Sequence, residues 1–239
     1  MESGFGPLVV WNFKIPFTDI IIPITNTVTT TWLIMIVITI TCILVTRNFE
    51  KIPKKVQNFV ELLVDTINNL TKQTMGEDKV RFAPYMGTIL IFMAIANTIG
   101  IIGLRPPTAD LNTTLAFGLV TFCLIQYNAV KSKGVVKRLK GFTEPIFLFT
   151  PMNLISEITN PISLGFRLFG NIVGGLIIMN LFYGLLATLS TSLFGPNALP
   201  VFQLLLPLPF HGYFDIFAGL LQSFIFAMLT MVNVSMAMD

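Results

Sequence analysis

The chain has 239 residues, of which 54% are hydrophobic and only 11% charged, with a formal net charge of +3; soluble domains carry about 25% charged residues. Charges this sparse cannot cover the surface of a soluble domain, and a mean hydropathy of +0.78 agrees: the composition predicts an all-α polytopic membrane protein, here treated as a single membrane domain over 1–239. No basic stripe with interleaved aromatics is present, which excludes nucleic acid as a partner, and Cys42 and Cys123 sit in apolar runs without metal-ligand spacing.

The first apolar run, 27–46, has the roughly 20 residues a helix needs to cross the hydrocarbon layer, and it ends at Arg47 and Asn48. Residues 50–79 are polar and carry Val56, Phe59, Val60, Leu63, Ile67 and Leu70 at helical spacing, the pattern of an amphipathic helix lying on the membrane surface. Crossings follow at 82–104, which stops at Arg105-Pro106-Pro107, and at 111–130. Two over-long apolar stretches close the chain, 151–189 with Pro161 inside it and 199–238. A helix of 39 residues would be about 58 Å long, nearly twice the hydrocarbon thickness. Either these helices break, or they form a tilted hairpin turning at Ser192–Asn197. The expected architecture is therefore about five membrane-embedded helices, an amphipathic surface helix and a long tilted C-terminal helical hairpin.

Twelve of the fifteen Lys and Arg lie in two clusters, at 47–81 and 131–140. With five crossings both clusters fall on one side of the bilayer, which the positive-inside rule makes the cytoplasm. The N-terminus is then outside and the C-terminus inside. The N-terminal segment opens with Glu2 and lacks the basic region of a cleavable signal, and the lack of a transit peptide favours a bacterial plasma membrane.

Arg167 is the residue that demands an explanation. An arginine at the centre of a membrane helix costs about 2.5–3.5 kcal/mol on insertion scales and cannot shed its charge. It either snorkels to headgroups or pairs with Glu157, or it serves a function. Ser156, Asn160, Ser163, Arg167, Asn171 and Gly174 succeed one another at steps of three and four, so they share one helix stripe. A stripe of small and polar groups around one cation suits an aqueous path or a closely approaching partner, although small residues alone also serve helix packing. Asn153 and Glu157 extend the polarity toward the cytoplasmic end. In the last stretch Asp215 and Gln222 are seven apart on one face, continued by Thr230 and Asn233, and His211 stands one turn before Asp215. This single histidine is either an interfacial residue or part of a proton relay.

The segment Leu164-Gly165-Phe166-Arg167-Leu168-Phe169-Gly170-Asn171 resembles the signature of subunit a of the rotary F-type ATP synthase. Further segments are similar in the same order: Pro107 to Thr114, Lys131 to Gly134, the approach Pro151, Asn153, Leu154, Ile155, Glu157, Pro161 and Ser163, and Leu221 to Val232. The resemblance implies an ion-translocating stator subunit, not an enzyme by itself and without cofactor or metal. Two offset half-channels would load and unload carboxylates on a ring of c subunits, with Arg167 keeping them apart. It also implies the b subunits of the peripheral stalk and the remainder of the complex as partners, with H+ or Na+ as the transported ion. Glu157, Asn153 and Ser163 would line the cytoplasmic half-channel, and Asp110, Asn112, Asp215 and Gln222 the outer one, with Asn171 nearby. The sequence departs from the family at Leu176, where many members carry a glutamate, and at Asp215, where they carry a histidine. His211 one turn away is then the candidate imidazole, and a sodium-translocating complex stays open. The rival reading is a stand-alone secondary transporter with a midplane site at Arg167.

Overall fold

The computed structural model describes residues 6–14, 21–47, 49–50, 55–143, 146–195 and 202–239. Among the described residues, five apolar helical segments are long enough to cross a membrane, as the composition predicts. The one sheet among the described residues is a small antiparallel hairpin, β1 (Val9–Lys14) on β2 (Ile21–Thr25), which leads into the first helix.

Helix α1 (Asn26–Thr46) is rich in Thr, Ile and Val, residues that favour strands in water. In hydrocarbon every backbone polar group has to be satisfied within the segment, and that requirement overrides β propensity. The hydroxyls follow suit: Thr31, Thr39 and Thr46 each donate to the carbonyl four residues earlier, at 2.7–2.8 Å. Only Thr27, Thr30 and Ile34 are buried, so most of α1 is open to lipid.

Helix α2 (Lys55–Met75) carries the amphipathic pattern, and its burial is confined to its end, at Thr71 and Met75. Gly76, at φ 99°, reverses the chain, a conformation that glycine adopts without steric penalty. A 3-10 turn (Glu77–Phe82) then feeds α3 (Ala83–Thr98), with Pro84 in its first turn, where a missing N–H costs nothing. Next come α4 (Leu111–Lys133), the short basic α5 (Val135–Gly141) and α6 (Thr150–Phe194).

Helix α6 runs unbroken through Pro161 for 45 residues, about 67 Å, too long to stand upright within the hydrocarbon. The second long stretch does break: α7 (Phe202–Leu205), α8 (Pro207–His211), a wide-turn π segment (Gly212–Ala218) and α9 (Gly219–Met238). The turn expected at Ser192–Asn197 lies partly outside the described residues.

Helix α9 is the hub. Its Met231, Val234 and Ala237 pack with Met75 of α2, Met86 of α3 and Ile125 and Ala129 of α4. One layer along, Phe226 packs with Ile89, Met93, Leu164 and Leu168. Helices α4 and α6 meet so closely that a Cβ at Gly118 would stand 2.6 Å from the Pro161 carbonyl oxygen, and one at Gly165 would stand 3.0 Å from that of Thr114. Small residues at such a crossing let backbones touch. This crossing fixes where the polar face of α6 points.

Candidate functional site

Arg167 lies on the outer face of α6 and is exposed, while its neighbours Leu164, Gly165 and Leu168 are buried against the bundle. Among the described residues it makes no hydrogen bond or ion pair. The exposed face around it carries Ser156, Asn160, Ser163, Gly170 and Asn171, and a Cβ at Gly170 or Gly174 would meet nothing within 4 Å. The stripe read from spacing is therefore one continuous open face, with a lone guanidinium in it.

Glu157 does not pair with Arg167, from which ten residues separate it, about 15 Å along the helix. It pairs instead with Arg138 of α5. Its Oε1 also accepts from Gln126 Nε2 at 2.5 Å, and Gln126 Oε1 accepts from Arg138 Nη2 at 3.3 Å. The guanidinium further lies over the Phe142 ring, 5.0 Å from its centroid. Both charged side chains are mostly buried, 18% and 23% exposed, so one carboxylate and one always-charged cation neutralise each other beside the bundle. They line a recess of about 190 Å³ with Asn160, Pro161 and Asn233. Pro161 lacks the N–H that would bond the Glu157 carbonyl, so the regular intrahelical bond is missing at that level. Asn153, one turn earlier, donates through Nδ2 to the Phe142 carbonyl at 3.0 Å and ties α6 to the end of α5.

A second polar row lies beyond Arg167. Asp215 Oδ2 is 2.6 Å from His211 Nδ1, and His211 Nε2 is 2.9 Å from the Tyr183 hydroxyl on α6. Tyr183 stands sixteen residues past Arg167, about 24 Å along the axis. Gln203 Nε2 donates to the Tyr183 carbonyl at 2.8 Å, a second tie across the hairpin. Between this row and Arg167, Asn171 Nδ2 donates to the Ala218 carbonyl at 3.4 Å, and Phe214 packs over Gly175.

The remaining predicted residues sit elsewhere. Gln222 is buried at 6% exposure, and its Nε2 has no hydrogen-bond partner among the described residues. Beside it a buried knot joins three elements: Asn97 Nδ2 donates to Ser223 Oγ at 2.8 Å and to the Gly219 carbonyl at 3.1 Å, while Thr108 donates to Asn97 Oδ1 at 2.7 Å. Asp110 caps α4, its Oδ1 accepting from the Asn112 N–H at 3.0 Å. Asp110 and Asn112 line a recess of about 590 Å³ with the hairpin and α1, and they share no hydrogen bond with His211 or Asp215 among the described residues.

Two participants escaped the sequence reading. Arg138 was one of five basic residues in a loop, and the available signal was that it is the only arginine among lysines, the cation suited to forked pairing with a carboxylate. Tyr183 is one aromatic in an apolar run, 28 residues from His211, and no local period reveals that partnership.

The family described as ATP synthase A chain matches residues 28–235. The chain is 33% identical to the "ATP synthase subunit a, sodium ion specific" of Propionigenium modestum, over 89% of this chain and 73% of that protein. It is also 33% identical to ATP synthase subunit a of Geotalea daltonii, covering 87% and 86%, and 31% identical to that of Moorella thermoacetica, covering 90% and 91%. The chain thus belongs to the family of ATP synthase subunit a, the ion-translocating stator component of that membrane complex and not its catalytic part.

Proposed function

We propose that the chain forms two offset half-channels, separated by Arg167, that load and unload carboxylates carried on a ring of c subunits. The observation that carries this reading is the position of Arg167: unpartnered among the described residues, in an open polar stripe, with the Glu157–Arg138 cluster toward the start of α6 and the His211–Asp215 pair against Tyr183 toward its end. A passing carboxylate would find there a cation that cannot deprotonate, and attraction at close range in a low-dielectric setting holds such a carboxylate ionised. The glycines at 170 and 174 let another helix approach.

On this reading the recess of Glu157, Arg138, Asn160 and Asn233 belongs to the cytoplasmic half-channel, with Ser163 between it and Arg167. Tyr183, His211 and Asp215 belong to the outer one, with Asn171, Gln222, Asp110 and Asn112 along the approach. The basic clusters at 47–81 and 131–140 support a cytoplasmic C-terminus and an outer N-terminus, and the bacterial relatives support a plasma membrane. The c-ring, the b subunits of the peripheral stalk and the remainder of the synthase are the partners, and H+ or Na+ is the cargo. Replacing Arg167 with Ala, or even with Lys, is expected to abolish ATP-coupled ion transport in a purified, reconstituted complex that still assembles. Substantial coupled synthesis in the Arg167→Ala complex would sink the assignment.

A further inference from the structure

We propose that Tyr183 is a positioning residue that holds the Nε2 edge of the His211 ring while Asp215 fixes its tautomer, making the His211–Asp215 pair a proton-holding site at the far end of α6. The inference rests on the outer half-channel reading above. An ionised Asp215 can only accept hydrogen bonds, so the 2.6 Å contact to His211 Nδ1 places the ring proton on Nδ1. Nε2 is then a lone pair, and the Tyr183 hydroxyl at 2.9 Å is its donor. Every polar atom of the ring is used once, and the neutral imidazole has one arrangement.

The site also has a second arrangement reached by a single proton. Adding a proton to Nε2 makes the imidazolium, both ring nitrogens donate, and the Tyr183 hydroxyl turns to accept in place of donating. No other bond changes, and loss of the same proton from Nε2 restores the starting tautomer without a ring flip. The empty site carries the charge of Asp215 alone, and the loaded site is a neutral ion pair. Tyr183 from α6 and Asp215 from the π segment are the titratable side chains that face the ring among the described residues. The pair is reachable, with His211 40% and Asp215 19% exposed.

Because His211 is the only histidine of the chain, the full-length subunit labelled with ¹⁵N-histidine in lipid nanodiscs gives a single imidazole spectrum. The expected wild-type spectrum, at a pH where the ring is neutral, is that of the Nδ1–H tautomer. Unconstrained imidazole side chains favour Nε2–H instead. Tyr183→Phe is expected to keep the Nδ1–H tautomer but shift the Nε2 resonance as its hydrogen bond is lost and, in the reconstituted complex, to slow ATP-driven proton pumping about tenfold, less than the roughly hundredfold that a directly acting proton-transfer group supplies at least. A wild-type ring in the Nε2–H form, which needs no variant to detect, overturns the assignment, as does a Tyr183→Phe spectrum identical to wild type. An altered spectrum with unchanged pumping overturns the transport role. None of these readings depends on Arg167, so failure here is distinguishable from failure of the half-channel reading.

Discussion

The two ends of α6 solve the same problem, a carboxylate inside a membrane helix bundle, with different chemistry. Near the start, Glu157 is held by Arg138 and Gln126 and both charges are mostly buried. The cation of that cluster is a guanidinium, which stays protonated throughout the accessible pH range. Near the end, Asp215 is held by an imidazole, itself backed by a tyrosine, and histidine is the side chain most readily charged or discharged near neutral pH. The first carboxylate thus faces a cation of fixed charge, and the second, on the proposal above, one that gains and loses a proton. Arg167 stands between them on the same helix, so a single rigid element sets the spacing of all three.

The largest effect expected from breaking this comparison is at the fixed end. Arg138→Met leaves Glu157 partly buried without its cation, and it should lower the stability of the assembled subunit by about 1–3 kcal/mol, the cost of orphaning a buried charged hydrogen-bonding group; denaturant or thermal unfolding in detergent checks it. His211→Ala at the other end removes a partner that is more exposed, and is expected to cost about 0–1 kcal/mol while disturbing proton handling. Equal losses from the two variants would erase the distinction.

Comparable in size is the effect at the crossing that orients the polar stripe. Gly118→Ala drives a methyl against the Pro161 carbonyl oxygen, 2.6 Å away, and is expected to cost about 1–3 kcal/mol through forced backbone shifts. Gly170→Ala, with nothing within 4 Å, is expected to leave the stability of the isolated chain within about 0.5 kcal/mol of wild type. Comparing the two unfolding transitions separates a packing glycine from one kept open for a partner.

The smallest effect is expected at the C-terminal residue. The hydrogen bond from Lys79 holds the Asp239 carboxyl below the usual carboxylate range. A depressed carboxyl stabilises the fold above its unfolded value and loses that contribution as pH falls through the folded one. The Lys79 tie is therefore intact at neutral pH and lost only in strong acid. Since Asp239 is exposed, Asp239→Asn is expected to change stability at neutral pH very little, and a large loss would show that this tie matters more than its exposure implies.

Much of the fold was legible because hydrocarbon permits little else: long apolar runs become helices, Thr-rich α1 included. Less legible was which long segment breaks. α6 keeps its course through Pro161 because its close contact with α4 and α9 outweighs one missing backbone bond, whereas the later stretch, with Pro207 and Pro209 and a π segment between Gly212 and Gly219, does not. The hairpin of Val9–Lys14 with Ile21–Thr25 went unread, since two short strands carry a weak signal in an apolar chain. At the site, helical spacing found the Arg167 stripe, which lies within α6, and the His211–Asp215 step, which spans only four residues across the junction of α8 and the π segment. The partners Arg138 and Tyr183 come from other elements, and only tertiary packing chooses them.

The central claim is that the two clusters open to opposite sides of the membrane with Arg167 between them. The direct test replaces the exposed Cys42 and Cys123 with Ser, then introduces Asn160→Cys beside Glu157 or Gly212→Cys beside His211. A membrane-impermeant thiol reagent is then added to sealed vesicles of known orientation carrying the assembled complex. The account predicts that Asn160→Cys is labelled from the cytoplasmic face only and Gly212→Cys from the opposite face only. Labelling of both positions from the same face would contradict it.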